Sequence, residues 1–136
     1  MTTTNRLDSE ADVIANLTSL RDTGGLTASS LVIVVGDAGA EQVIGFVVDD
    51  VPADPPQHER VAVLEPFLHQ MREVHAAHCV VLGVVRAGSD EVGGGDLAWH
   101  DAFTSMSRAA DLTCHGVYLV TPREVSRIRP TSTQAA

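Results

Sequence analysis

Apolar residues recur along this chain in two rhythms, and the switches between them predict the order of elements. Ser9-Glu10-Ala11-Asp12 has the form of a capping box with Ser9 as N-cap. Val13, Ile14, Leu17 and Leu20 follow at helical spacing, and Asp22-Thr23-Gly24-Gly25 closes that helix. Leu31 to Val35 and Gln42 to Val48 are β-branched runs around a glycine-containing turn at 36–41, which predicts an antiparallel hairpin. Both runs are nearly continuous in apolar residues, so the hairpin is expected to be covered on both faces. Residues 49–57 contain Pro52, Pro55 and Pro56 and read as a stiff surface connection. From His58 to His75 a helical stripe returns in Val61, Leu64, Leu68, Met71 and Val74. Pro66 inside it predicts a start near Glu65 or a kink.

The second half is organised around a single unit. An apolar run (Cys79 to Val85) leads into a polar, glycine-rich loop (Arg86 to Gly95), an amphipathic helix (Asp96 to Asp111) and another apolar run (Gly116 to Val120). Leu97, Ala98, Phe103, Met106 and Ala110 are available for burial on that helix, with Trp99 on its flank. Two strands joined through a helix should be parallel with a right-handed crossover. Thr121-Pro122-Arg123-Glu124 forms a second capping-box pattern and predicts a short helix through Ile128, ended by Pro130. The expected fold is a single three-layer α/β domain with a mixed sheet, an antiparallel hairpin plus a β-α-β unit. It spans residues 8–130, with a loose segment at 1–7 and a disordered tail at 131–136.

Length and charge narrow the function. A chain of 136 residues suits one domain. The net charge of −9 disfavours nucleic acid and anionic membrane as partners, because both are polyanions. No apolar run approaches the ~20 residues of a membrane span. Met1 to Leu7 lacks the apolar core of a signal peptide, so a cytoplasmic location is expected. All nine basic residues are arginine, which together with the alanine, valine and glycine bias marks a GC-rich bacterial genome. Arg123, Arg127 and Arg129 cluster near the C-terminus and are expected to answer the chain's own carboxylates or those of a partner subunit. Cys79 and Cys114 each open a strand and should stay reduced as small hydrophobes.

The element order and the central unit resemble the JAB/JAMM domain of bacterial RadC-like proteins, over roughly Leu31 to Val120. The order is JAB-like and cytidine-deaminase-like. In that family a strand ends in His-x-His and, seven residues on, Ser-x-x-Asp opens a helix. The resemblance implies zinc held by those histidines and that aspartate, with an upstream glutamate as general base. Laid on this chain without a gap, Asp96 takes the aspartate position, while Gly83, Val85 and Gly93 fall on the two histidines and the serine. Gly88 matches a glycine that closely follows the second histidine. Glycine and valine cannot ligate zinc, and one carboxylate cannot hold an ion that needs at least three protein ligands. The resemblance therefore implies an inactive relative that kept the scaffold.

Other candidates remain. Asp96 is also readable as a plain N-cap. Gly93-Gly94-Gly95 lies between a strand and a helix, yet Asp90, Glu91 and Asp96 would repel a phosphate there. His78-Cys79 and Cys114-His115 open parallel strands at one end of the sheet. Strand alternation keeps all four from converging on a metal. His69, His75 and His78 read as solvated residues at a helix end. No nucleophile with a base in reach is found, and His100-Asp101 is the closest approach to an acid/base pair.

Two functions follow. The first is a non-catalytic module that binds a protein partner or associates with itself, with Trp99 and the edge of the hairpin as interface candidates. The second is a small-ligand binder or enzyme using Arg86, Ser89, Asp90, Asp96 and His100. No cofactor and no metal is expected.

Overall fold

The structure, a computed structural model, describes residues 6–24, 29–49, 51, 55–74 and 76–129. The Ser9 hydroxyl accepts the Asp12 N–H (3.1 Å) and opens α1 (Glu10–Asp22), as its sequence demands. The β-branched runs form β1 (Ser30–Gly36) and β2 (Gln42–Val48), then come α2 (Gln57–Val74), β3 (Cys79–Val85), α3 (Gly94–Ala109), β4 (Thr113–Val120) and β5 (Val125–Arg127). These strands make one mixed sheet in the order β2-β1-β3-β4-β5. β1 is antiparallel to both of its neighbours, β3 and β4 are parallel across α3, and β5 is antiparallel to β4.

Helices cover both faces, which accounts for the continuous apolar runs of the central strands. On one face Val13 and Leu17 of α1 pack with Val32, Val81, Tyr118 and Val120. On the other, Leu64 and Leu68 of α2 and Trp99 and Phe103 of α3 pack with Ile33, Leu82 and Leu119. Each of these side chains contributes ~1.5–3 kcal/mol when fully buried. No helix among the described residues is long and apolar enough to cross a membrane.

Four expectations are corrected. The hairpin is not covered on both faces: β1 is buried throughout, but β2 alternates between half-buried and exposed, because it is the last strand of the sheet and α1 reaches it at its first residue, where Asn16 Nδ2 donates to Gln42 Oε1 (2.6 Å), and leaves Val43 and Val47 exposed. Pro66 neither starts nor breaks α2; it sits exposed inside a helix anchored on both sides by buried Arg60, Leu64, Leu68 and Met71. That burial outweighs the ~3 kcal/mol cost of an internal proline. Arg6 and Leu7 are not loose, since Leu7 is buried and its N–H donates to Ala40 O (2.8 Å).

The helix expected over Thr121–Ile128 is a hairpin turn followed by β5. Thr121 N–H donates to Glu124 O (2.9 Å), and Glu124 N–H donates back to the Thr121 hydroxyl (3.2 Å). A threonine hydroxyl accepting from the third residue on serves a turn as well as a helix start. The open edge of β4 and the β-branched, buried Val125 and Ile128 decide for the strand. The expected tail at 131–136, with Pro130 and His75, lies outside the described residues, as does most of 1–7 and part of the proline-rich connection.

Beyond β5 the edge of β4 is bulged. Val80 pairs with Cys114 but Leu82 pairs with Val117, so one extra residue is accommodated at His115–Gly116. Gly116 has φ 127°, and a Cβ there would lie 2.9 Å from Tyr118 Cε1. Only glycine fits both demands.

Candidate functional site

The loop between β3 and α3 lies at the C-terminal ends of the parallel strands, where open α/β sheets place their ligands. Arg86 continues β3, its N–H donating to Val120 O (3.0 Å), and its side chain turns into its own loop. Nε donates to both carboxylate oxygens of Asp96 (3.1 and 3.2 Å). Nη1 donates to Ala87 O (3.1 Å) and Ser89 O (2.8 Å), and Nη2 to Glu91 O (2.7 Å) and Asp96 Oδ2 (2.9 Å). A guanidinium has five N–H groups. All five are engaged by the loop and the Asp96 carboxylate. The hydrogen bond to Asp96 holds Arg86 more firmly protonated than an isolated arginine.

Asp96 is not the N-cap. Gly93 takes that position, and Asp96 stands at the third helical residue, reaching back so that Oδ2 accepts the Gly93 N–H (2.8 Å). It is buried, so its charge is offset by Arg86 and by the first turn of α3 rather than by water. The Ser89 hydroxyl accepts the Glu91 N–H (2.9 Å) and faces no base. Gly88 has φ 98°, the left-handed conformation the loop needs to fold back on Arg86.

The other candidates from the sequence are placed elsewhere. Asp90 accepts from the Thr121 hydroxyl and lies 3.7 Å from Arg123 Nε, tying the loop to the β4–β5 turn. His100 sits further along α3 with Nδ1 3.3 Å from Asp101 Oδ1, apart from the Arg86–Asp96 pair. Trp99 is not on a flank: it is 4% exposed, in the core beneath α2, with Arg60 Cζ 5.2 Å from its ring centroid. Its ring lines the floor of a small cleft together with Leu31, Val48 and Val63 rather than standing out from the surface.

At the positions of the resembled histidines, Gly83 faces α1. A Cβ there would lie 2.6 Å from Val32 Cγ1 and 3.5 Å from Leu17 Cδ2. Val85 is buried in the same α1-side cluster. The clustered arginines do meet the chain's own carboxylates, Arg123 with Asp90 and both Arg127 and Arg129 with Glu10.

The opposite end of the sheet holds an open concavity of about 570 Å3, bordered by Asp8, Asp37, Arg72, His78, Cys79 and His115 among others. Cys79 packs in the α1-side cluster and Cys114 against the opposite one, as strand alternation requires. Burial pushes both thiols up and pushes His115 down, the last opposed by Asp8. Among the described residues no three His, Cys, Asp or Glu side chains gather so as to hold a metal ion.

The feature misread in the sequence is the exposed face of β2, a strand expected to be covered on both sides. Val43 is 55% exposed and Val47 43%, both on the face that α1 leaves open, with Gly45 between them. Ile44, Phe46 and Val48 point to the α2 side and are only half-buried; Phe46 meets Phe67 edge-to-face at 5.0 Å. Val63 of α2, also exposed, lines a small cleft together with Val48. The one signal in the sequence was Gly45, a residue that weakens a buried strand and is tolerated at an edge.

No protein-family model matches this chain, and no curated protein matches it at a significant level.

Proposed function

We propose that this chain is a non-catalytic α/β domain that works by associating with protein. The observation that carries this reading is the closure of the Arg86 loop. At the sheet end where such a domain would hold substrate, the loop's arginine, Arg86, is saturated by its own backbone and by Asp96. Asp90 of the same loop is engaged by the Thr121 hydroxyl. Where a JAB/RadC-like relative would carry metal-binding histidines, this chain has Gly83 packed on Val32 and a buried Val85. In contrast, β2 is the outermost strand of the sheet among the described residues and carries the exposed Val43 and Val47, and exposed large apolar groups of this kind are characteristic of association surfaces.

Elemental analysis of the purified protein after exposure to zinc tests this reading. The expected result is zinc well below one ion per chain, unchanged by Asp96→Ala. Stoichiometric zinc that is lost with Asp96→Ala would overturn it.

A further inference from the structure

We propose that the groove between α3 and the start of β4 binds an extended acidic peptide, one with two carboxylates four residues apart and an apolar side chain midway. The proposal rests on the association reading above and gives that protein partner a chemistry.

Two open concavities of about 370 and 360 Å3 adjoin there, sharing Thr104 and Cys114. β5 ends at Arg127, opposite Tyr118, and among the described residues no strand continues it alongside Thr113 to Gly116. α3 supplies the facing wall. His100, Thr104 and Arg108 recur at every fourth residue, so they stand in one row along the helix.

The ends of the groove are cationic and its middle is not. Arg108 stands at one end, exposed, and its side chain has no hydrogen-bond or ion-pair partner among the described residues. Arg127 and Arg129 stand at the other and share Glu10 of α1, which Arg127 meets at only 3.9 Å. Asp111 is held by Arg72 (3.4 Å), and Asp101 lies 3.3 Å from His100 Nδ1. Of the charged groups named here, four arginines meet three carboxylates, an excess of positive charge on a chain of net −9. Between the ends, the Thr104 hydroxyl is spent on His100 O (2.9 Å), and the lining is Cys114, Leu112 and Ile128.

These spacings fit an extended chain. From His100 to Arg108 the helix rises about 12 Å. Four residues of extended chain cover about 13 Å, and side chains two apart share a face. One peptide face can therefore set a carboxylate on Arg127 and Arg129, an apolar group on Cys114, and a second carboxylate on Arg108. Arginine–carboxylate hydrogen bonds are charge-assisted and among the stronger ones. Residues 130–136 of this chain carry no acidic side chain, so charge disfavours them as the occupant. A nucleic acid would run beyond the groove onto a surface of its own sign, whereas a short segment does not.

Fluorescence anisotropy of the full chain with a rhodamine-labelled heptapeptide tests the proposal. The peptide is serine throughout, except for glutamate at its second and sixth places and valine at its fourth. Saturable binding is expected, weakening as salt is raised and lost when both glutamates are glutamine. Arg108→Gln and Arg127→Gln should each weaken it about fivefold. Arg123→Gln removes the same charge at the β4–β5 turn, where that side chain is 82% exposed, and should leave binding unchanged. Circular dichroism checks folding. Should Arg127→Gln disturb the fold through Glu10, Arg108→Gln alone decides, since its side chain holds nothing in place.

Failure to bind the peptide overturns the proposal. Equal binding of the glutamine peptide does so too, as does an equal loss with Arg123→Gln and Arg108→Gln. A seven-nucleotide oligouridylate that binds more tightly than the peptide also overturns it. Each of these results removes the groove and leaves the non-catalytic reading standing. Stoichiometric zinc lost with Asp96→Ala sinks that reading whatever the peptide does.

Discussion

Gly83 of β3 and Val32 of β1 meet across the ladder with no room for another atom: a Cβ on Gly83 would approach Val32 Cγ1 to 2.6 Å. Neither partner is free to retreat, since Leu17 Cδ2 and Val120 Cγ2 close the same space at 3.5 Å. Gly83→Ala is therefore expected to destabilise the fold by ~1–3 kcal/mol, as overpacking of a filled core does. Urea unfolding followed by circular dichroism checks it. A larger side chain should fare worse, and Gly83→His is expected to unfold the domain rather than create a metal ligand.

Arg86→Ala removes five donors at once and leaves the Asp96 carboxylate buried with only backbone N–H groups for company. Breaking a largely buried pair by deleting one member costs ~3–5 kcal/mol. Arg86 is 28% exposed on its side chain, so water recovers part of that, and a loss of ~2–3 kcal/mol is expected. Combining Arg86→Ala with Asp96→Asn should recover a good part of the loss, because no charge is then stranded. The urea midpoints of the single and double variants decide the matter.

Tyr118 is fully buried on β4, and its hydroxyl has no hydrogen-bond partner among the described residues. A buried hydroxyl without a partner costs ~1–3 kcal/mol, so Tyr118→Phe is expected to raise stability by ~1 kcal/mol. Burial also pushes the phenol above its ordinary value of 10.0. A group that stays protonated longer when folded contributes stability that is full below its unfolded value and fades as pH rises through the folded one. Stability should therefore fall on going above about pH 10, with a shallower fall in Tyr118→Phe. Tyr118 is the chain's single tyrosine, so tyrosinate absorbance reports the titration directly.

Trp99 is the single tryptophan and lies in the core with Arg60 over its ring. Its fluorescence should be blue-shifted relative to free indole, hardly quenched by iodide, and red-shifted on unfolding. Ready iodide quenching in the native protein would place the ring at the surface.

Much of the architecture was readable before any coordinates. Ser9 and the stripe through Val13 and Leu17 declared α1, and the order of elements declared the parallel β3–β4 pair. The misreadings share one cause: the same local chemistry serves two structures. Thr121 can open a helix or close a turn, and only the vacant edge of β4, distant in sequence, decides for the turn. Valines in β1 and β2 look alike along the chain, and only sheet order separates a strand buried on both faces from one at the rim. At the loop, the residue types were legible but their mutual satisfaction was not. That Arg86 turns inward onto Ala87, Ser89 and Glu91 depends on the path of the backbone, which Gly88 sets with φ 98°.

The inward arginine has a practical corollary for anyone wishing to graft a receptor onto this end of the domain. Replacing Arg86 alone strands an anion, and replacing Asp96 alone strands a cation and uncaps the helix. Loop redesign must therefore change both positions together and supply a new acceptor for the Gly93 amide.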